Sequence, residues 1–108
     1  MEFSSFTPDI LDLCEKRSVA RATLGDDAAL EFSRVLSDIE AFDNFADFAA
    51  TFGDQIEDLG PYEKCFKLKA GYVLVFQSGH PVNLGAKAVP PDWETTTRLM
   101  ITAIEKAK

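Results

Sequence analysis

The chain has 108 residues, 46% of them apolar and 11% aromatic, and a formal net charge of −7. That length supports one domain around one core and excludes two, and the apolar content excludes a disordered tail. The acidic balance argues against nucleic acid as a general electrostatic partner, because a negative surface repels phosphates. The acidity is confined to one half, however. Residues 1–53 carry eleven acidic and four basic side chains, whereas residues 54–108 carry seven of each and can still hold a local basic patch. The opening MEFSSFTPDI lacks a basic region followed by an apolar run, so no secretory signal is expected. No apolar run approaches the roughly 20 residues of a membrane span. A cytoplasmic protein without a membrane partner is the expectation. Cys14 and Cys65 fall in different predicted elements and read as buried thiols of a reducing compartment. His80 has no ligand-spaced companion, so neither a metal site nor a cofactor is expected.

Residues 1–6 alternate weakly and predict a short edge strand. Thr7-Pro8 reads as an N-cap followed by proline at the first helical position, where its missing N–H is harmless. Asp9 and Asp12 suit the positive end of that helix, and Ile10, Leu11, Cys14, Val19 and Leu24 trace its apolar stripe. One helix is therefore expected to run to Gly25, which ends it. Asp26 or Asp27 is expected to cap a second helix reaching Phe42, with Ala29, Phe32, Val35, Leu36 and Ile39 facing inward. With so short a link, the two helices should form an antiparallel hairpin. Asn44 to Phe52 predicts one further short helix ending at Gly53, its Phe45, Phe48 and Phe52 reading as core rather than as a partner-binding strip.

The stretch PYEKCFKLKAGYVLVFQSGHP is read as the centre of the core. Residues 63–68 and 72–77 are β-forming runs joined by Lys69-Ala70-Gly71, which is a hairpin signal. Within the first run Cys65 and Lys67 point one way, and Lys64, Phe66 and Leu68 the other. The second is apolar from Tyr72 to Phe76, as expected of a central strand covered on both faces. Residues 55–59 predict a short strand before the hairpin, and residues 77–91, with two Gly and three Pro, a long loop after it. Residues 98–104 alternate and predict a closing strand, with Leu99, Ile101 and Ala103 on one face. A helix from Trp93 onward is the competing pattern.

No phosphate loop, catalytic triad or metal motif is present. Glu57, Asp58 and Glu63 read as solvating acids. The best local chemistry is the basic cluster Lys64, Lys67 and Lys69 with Tyr62 and Tyr72 nearby. Lysines can stabilise charge developing on a phosphoryl group, and tyrosines can stack on bases. Lys64 and Lys67 are three apart, so a regular strand sends them to opposite faces and only a bulge would unite them. Edge lysines that discourage sheet-to-sheet pairing are the plainer alternative.

Several stretches together resemble a known family. They are FxxxILDLCE in the first helix, ARATLG at its end and AALEFSRVLSDIEAFDNFADF through the next two. GYVLVFQSGHP on the central strand and PDWETTTRLMITAIE at the end complete them. Their order is similar to the plasmid maintenance killer proteins, the HigB-like branch of the RelE/ParE toxin superfamily, and the similarity spans nearly the whole chain. The resemblance implies an α+β fold with an N-terminal helical hairpin packed on a small antiparallel sheet, and favours a strand for residues 98–105. It implies the toxin of a type II toxin–antitoxin system, a cytoplasmic endoribonuclease cleaving mRNA on the ribosome and silenced by a helix-turn-helix antitoxin. On that reading Lys64, Lys67 and Arg98 are the catalytic candidates, and Tyr62, Lys69 and Tyr72 would contact RNA. Lys64 alone matches a basic position of the family's middle strand. The chain departs from the pattern at Val73, where the family commonly has arginine, and at Lys106-Ala107-Lys108, which replaces an Asp-Tyr-His-like end. Those departures favour an alternative, a catalytically degenerate toxin fold that binds an antitoxin-like partner or associates with itself as a homodimer. A gyrase-directed inhibitor is a third, more distant option.

Overall fold

The computed structural model describes residues 1–60, 63–78, 93 and 96–107. Strand β1 (Glu2–Ser5) leads into helices α1 (Pro8–Glu15), α2 (Arg17–Leu24), α3 (Asp26–Ala41) and α4 (Phe45–Phe52). A 3-10 turn (Gly53–Gln55) then precedes β2 (Ile56–Asp58), β3 (Glu63–Lys67), β4 (Tyr72–Ser78) and β5 (Arg98–Lys106). The architecture is α+β, as expected, but the sheet is not the wholly antiparallel one that the resemblance implied. Its sheet has the order β1-β5-β4-β3-β2 and is mixed, because β1 runs parallel to β5 while the other neighbours are antiparallel. A parallel pair needs a long crossover, and the helices and the remaining strands supply it.

The first helix differs from its sequence pattern. Lys16 is extended (φ −113°, ψ 107°) and splits it in two. Its amide still bonds the Asp12 carbonyl and its own carbonyl receives the Ala20 amide, so the break is capped on both sides. The apolar stripe explains the break. Ile10, Leu13, Cys14 and Leu24 all pack on the one core, but Arg17 and Ser18 stand where a continuous stripe would need apolar residues. The bend lets α1 lie on β1 and β5 while α2 pairs with α3.

Thr7 caps α1 as expected, its Oγ1 accepting from the Ile10 amide at 3.3 Å. Between α2 and α3 the capping differs from expectation. Gly25 (φ +86°) both ends α2 and occupies the N-cap position of α3, a conformation that other residues reach only under strain. Asp26 and Asp27 therefore sit inside the first turn of α3, where their charge favours the helix dipole. Asp26 accepts from the Arg21 Nε at 2.9 Å, which clamps the corner of the helical hairpin.

Phe32, Ile39, Phe45, Phe48, Phe66, Leu74, Phe76, Leu99 and Ile101 belong to one buried cluster between the helices and the sheet. Phe45 and Phe48 are core as their spacing suggested, and Phe52 is half-buried against them. Asn44 caps α4 through the Asp47 amide, and the orphan Phe45 amide bonds the Thr96 carbonyl at 2.8 Å. β4 lies in the middle of the sheet and has buried side chains on both faces. Leu74 and Phe76 are buried on the helix side, and Val75 on the other beside the equally buried Cys65.

Residues 98–106 form a strand and not a helix, yet their simple alternation fails at one point. Val75 pairs with Ala103 but Phe76 pairs with Ile101, leaving Thr102 as the extra residue of a β-bulge. Its Oγ1 donates to the Val75 carbonyl at 3.3 Å. The bulge shifts the phase, so Leu99 and Ile101 face the core, as does Ile104, whereas Ala103 turns away. The early strand is shorter than expected, because Gln55 belongs to the 3-10 turn and sends its amide to the Lys67 carbonyl at 3.0 Å. Of the expected long loop, Gln77 and Ser78 extend β4. Residues 79–91 lie outside the described residues, as does His80. No helix among the described residues is long and apolar enough to cross a membrane.

Phe48 is 1% exposed and its ring lies 5.2–6.2 Å from those of Phe42, Phe45, Phe52 and Phe66. Phe48→Ala is expected to lower the unfolding free energy by about 3–5 kcal/mol, measured by urea denaturation with the slope unchanged.

Candidate functional site

Lys64 lies on the helix side of β3, the side of Phe66 and Leu68. Its neighbour across the strand pair is Asp58 of β2, and the two side chains form an ion pair. The lysine side chain is only 14% exposed, against 73% for the aspartate. Its Nζ sits 5.0 Å from the Trp93 ring centroid and 5.8 Å from that of Phe45. A partly desolvated ammonium over two aromatic faces is held by more than its carboxylate, with each cation–π contact contributing about 0.5–2 kcal/mol. Trp93 in turn packs on Phe45 at 5.1 Å and Phe76 at 6.0 Å. Lys64 is therefore anchored into the core's rim.

Lys67 leaves the opposite face, as the period of a strand dictates. It pairs with Glu57 at 2.5 Å, a diagonal cross-strand contact, since Glu57 lies opposite Cys65. The hydrogen bond and the charge of Glu57 both push the Lys67 ammonium above its usual range. Lys69 sits in the hairpin turn. Its amide and that of Ala70 donate to the two carboxylate oxygens of Glu31 on α3, at 2.7 and 2.9 Å. That bidentate contact docks the turn onto the helix. Tyr72 begins β4, half-buried against the core, and its carbonyl receives the Leu68 amide at 2.8 Å.

Arg98 begins β5 at the sheet end opposite the hairpin turn. Its Nε and a terminal amino group both donate to Glu2, at 3.2 and 2.9 Å. Arg98 and Lys67 share the face away from the helices. Arg98 lies seven positions along β5 from Glu105, the neighbour of Val73, which pairs with Lys67. At about 3.3 Å per residue that is roughly 20 Å. The three candidate catalytic cations thus occupy two faces and two ends of the sheet, and each is engaged by a carboxylate. Tyr62 lies outside the described residues. The structure does not gather Lys64, Lys67, Lys69, Tyr72 and Arg98 around one point.

Sequence reasoning read Glu57 and Asp58 as solvating acids. They are the partners of Lys67 and Lys64, a relation that only strand register reveals. Glu31 stood on the polar side of its helix pattern with no local sign of its role. Among the described residues no group of His, Cys, Asp or Glu side chains is arranged to hold a metal ion. Cys14 and Cys65 are free thiols. Burial raises the Cys14 thiol above its usual range, opposed by the Ser5 hydroxyl and reinforced by Glu15. Burial likewise raises Cys65, with Glu57 adding to it. Compared with known proteins, the chain matches no family model, no curated protein and no solved structure.

A raised thiol favours the protonated form in the folded state. Its contribution is complete below the unfolded value of 9.0 and is lost as pH rises through the folded one. The Lys67 contribution has the same sign, complete below 10.5. Stability measured by urea unfolding is expected to hold from pH 7 to 8.5 and to fall progressively above pH 9. At pH 8 both thiols should react with iodoacetamide more slowly than a free peptide thiol, and Cys65 the more slowly of the two.

Proposed function

We propose that the chain is a toxin-scaffold protein of the plasmid-killer kind whose work is protein binding. It is held by a helix-turn-helix, antitoxin-like partner, and its RelE/ParE-like scaffold serves recognition more than RNA cleavage. The chain-long resemblance supports the scaffold and the partner class. The described order of strand, helical hairpin, short helix and sheet agrees with the order that the resemblance implies. One observation carries the preference for binding. The candidate catalytic cations are dispersed over both faces of the sheet and are already neutralised by Asp58, Glu57 and Glu2. General acid–base and charge-stabilising groups act only when they converge on the reacting atoms.

The second reading is the ribosome-dependent endoribonuclease. It draws on the exposure of Lys67 and Arg98, whose side chains are more than half solvent-accessible. Exposed pairs of this kind are weak and screened by salt, which leaves both cations open to phosphate. In that case mRNA and the ribosome join the antitoxin as partners.

The deciding experiment is tightly controlled expression in a laboratory bacterium, with and without the adjacent gene. Normal growth, no mRNA cleavage and co-purification with the neighbour's product are the expected results. Growth arrest with mRNA cleavage, relieved by the neighbour and abolished by Lys67→Ala with Arg98→Ala, would establish the nuclease instead. Arrest with loss of DNA supercoiling would point to gyrase.

A further inference from the structure

We infer that the free edge of β1 is a docking strand for an extended, basic segment of a partner protein. This deepens the partner-binding reading and rests on it for the partner being a protein. The backbone supplies the first argument. Among the described residues β1 has a neighbour on one side only. The Glu2 amide bonds the Thr97 carbonyl and the Phe6 amide bonds the Ile101 carbonyl, so even-numbered residues address β5. The N–H and C=O groups of Phe3 and Ser5 consequently point away from the sheet, toward the open edge. An unpaired row of this kind is a template for an added strand.

Shape and charge say what fits. A groove of about 540 Å³ runs beside the strand, between residues 1–5 and a wall of Leu11, Cys14, Glu15 and Glu40. Three glutamates line it, and its one cation, the Met1 ammonium, is turned onto the backbone carbonyls of Glu40 and Phe42. Glu2 is satisfied by Arg98, whereas Glu15 and Glu40 have no ion-pair partner among the described residues. Apolar surface is exposed next to it, with Phe6 at 63% and Leu11 at 42%. Glu2–Ser5 carries neither lysine nor proline, and its protection as an edge is confined to its shortness and the charge of Glu2. An extended segment that alternates cationic with apolar side chains matches this surface. Its backbone would pair with Phe3 and Ser5, its cations would meet Glu15 and Glu40, and its apolar groups would cover Phe6 and Leu11. A second copy is a poorer occupant, since it would bring another set of glutamates to the same place. A nucleic acid is excluded by the same charge.

The probe is a blocked hexapeptide of alternating lysine and valine, titrated into the full chain and followed by amide NMR. Saturable binding is expected below about 1 mM, with the largest shifts at Phe3 and Ser5. An alternating glutamate–valine peptide should leave those amides unmoved. Glu15→Lys combined with Glu40→Lys, both on exposed positions, should weaken the lysine–valine peptide roughly tenfold or more. Absence of saturation, shifts centred elsewhere, or unchanged affinity in the double variant would overturn the proposal. Sedimentation showing dimers joined through β1 would also overturn it, assigning the edge to a second copy. The product of the adjacent gene separates the two readings. If it binds wild type and double variant alike, the edge assignment fails while partner binding stands. If it does not bind but the peptide does, the edge assignment stands and the antitoxin reading fails.

Discussion

Leu74 and Phe76, the helix-facing side chains of the central strand, set the condition that every other element meets. They are 0% and 1% exposed, which requires apolar cover from above and apolar neighbours on either side. β3 supplies Phe66 and Leu68, β5 supplies Leu99, Ile101 and Ile104, and α3 and α4 lay Phe32, Ile39, Phe45 and Phe48 across the top. A slip of one residue in any strand would turn that strand's apolar set to the other side. The Thr102 bulge is the one place where the chain corrects its phase, and without it Ile104 would face away from the helices. Side chains of the opposite face have no such cover from the helices, which is why that face holds Lys67, Glu57, Glu105 and Arg98.

Charge placement follows from the same arrangement. A strand period of two divides Lys64 from Lys67, and the width of the sheet divides both from Arg98. Each cation then finds a carboxylate across a strand boundary, so the sheet's basic groups are spent on holding its edges to its middle. Asp58 and Glu57 fasten β2, and Glu2 fastens β1. The surplus acidity is left on the helices, where Glu15 of α1 and Glu40 of α3 have no ion-pair partner among the described residues. A surface of that kind discriminates strongly by charge.

Much of this was legible in the sequence where local chemistry decided the outcome. Thr7-Pro8, the αα-hairpin corner at Gly25, the Phe45/Phe48/Phe52 stripe and the hairpin around Lys69-Ala70-Gly71 all carry their signals within a few residues. The opposite facing of Lys64 and Lys67 followed from period alone. What the sequence could not supply were relations set by register. The break at Lys16 lets α1 pack on β1 and β5 while α2 pairs with α3, and no glycine or proline marks it. The bulge at Thr102 depends on its pairing with β4. The Glu31 contact joins residues about forty positions apart, and a glutamate on a polar helix face looks the same whether it holds a turn or only meets water.

The parallel seam between β1 and β5 has a consequence for how the molecule is made. Glu2 and Arg98 are 96 positions apart, yet their strands lie side by side. During synthesis β1 precedes its strand partner by more than ninety residues, so Phe3 waits for cover while the helices gather beside it. Loop closure over such a span precedes any reward from the contacts it makes, and non-local pairing of this kind slows folding. In that interval the strand has two open edges instead of one. A nascent chain is then exposed to strand-to-strand association on the very side that the finished sheet later closes.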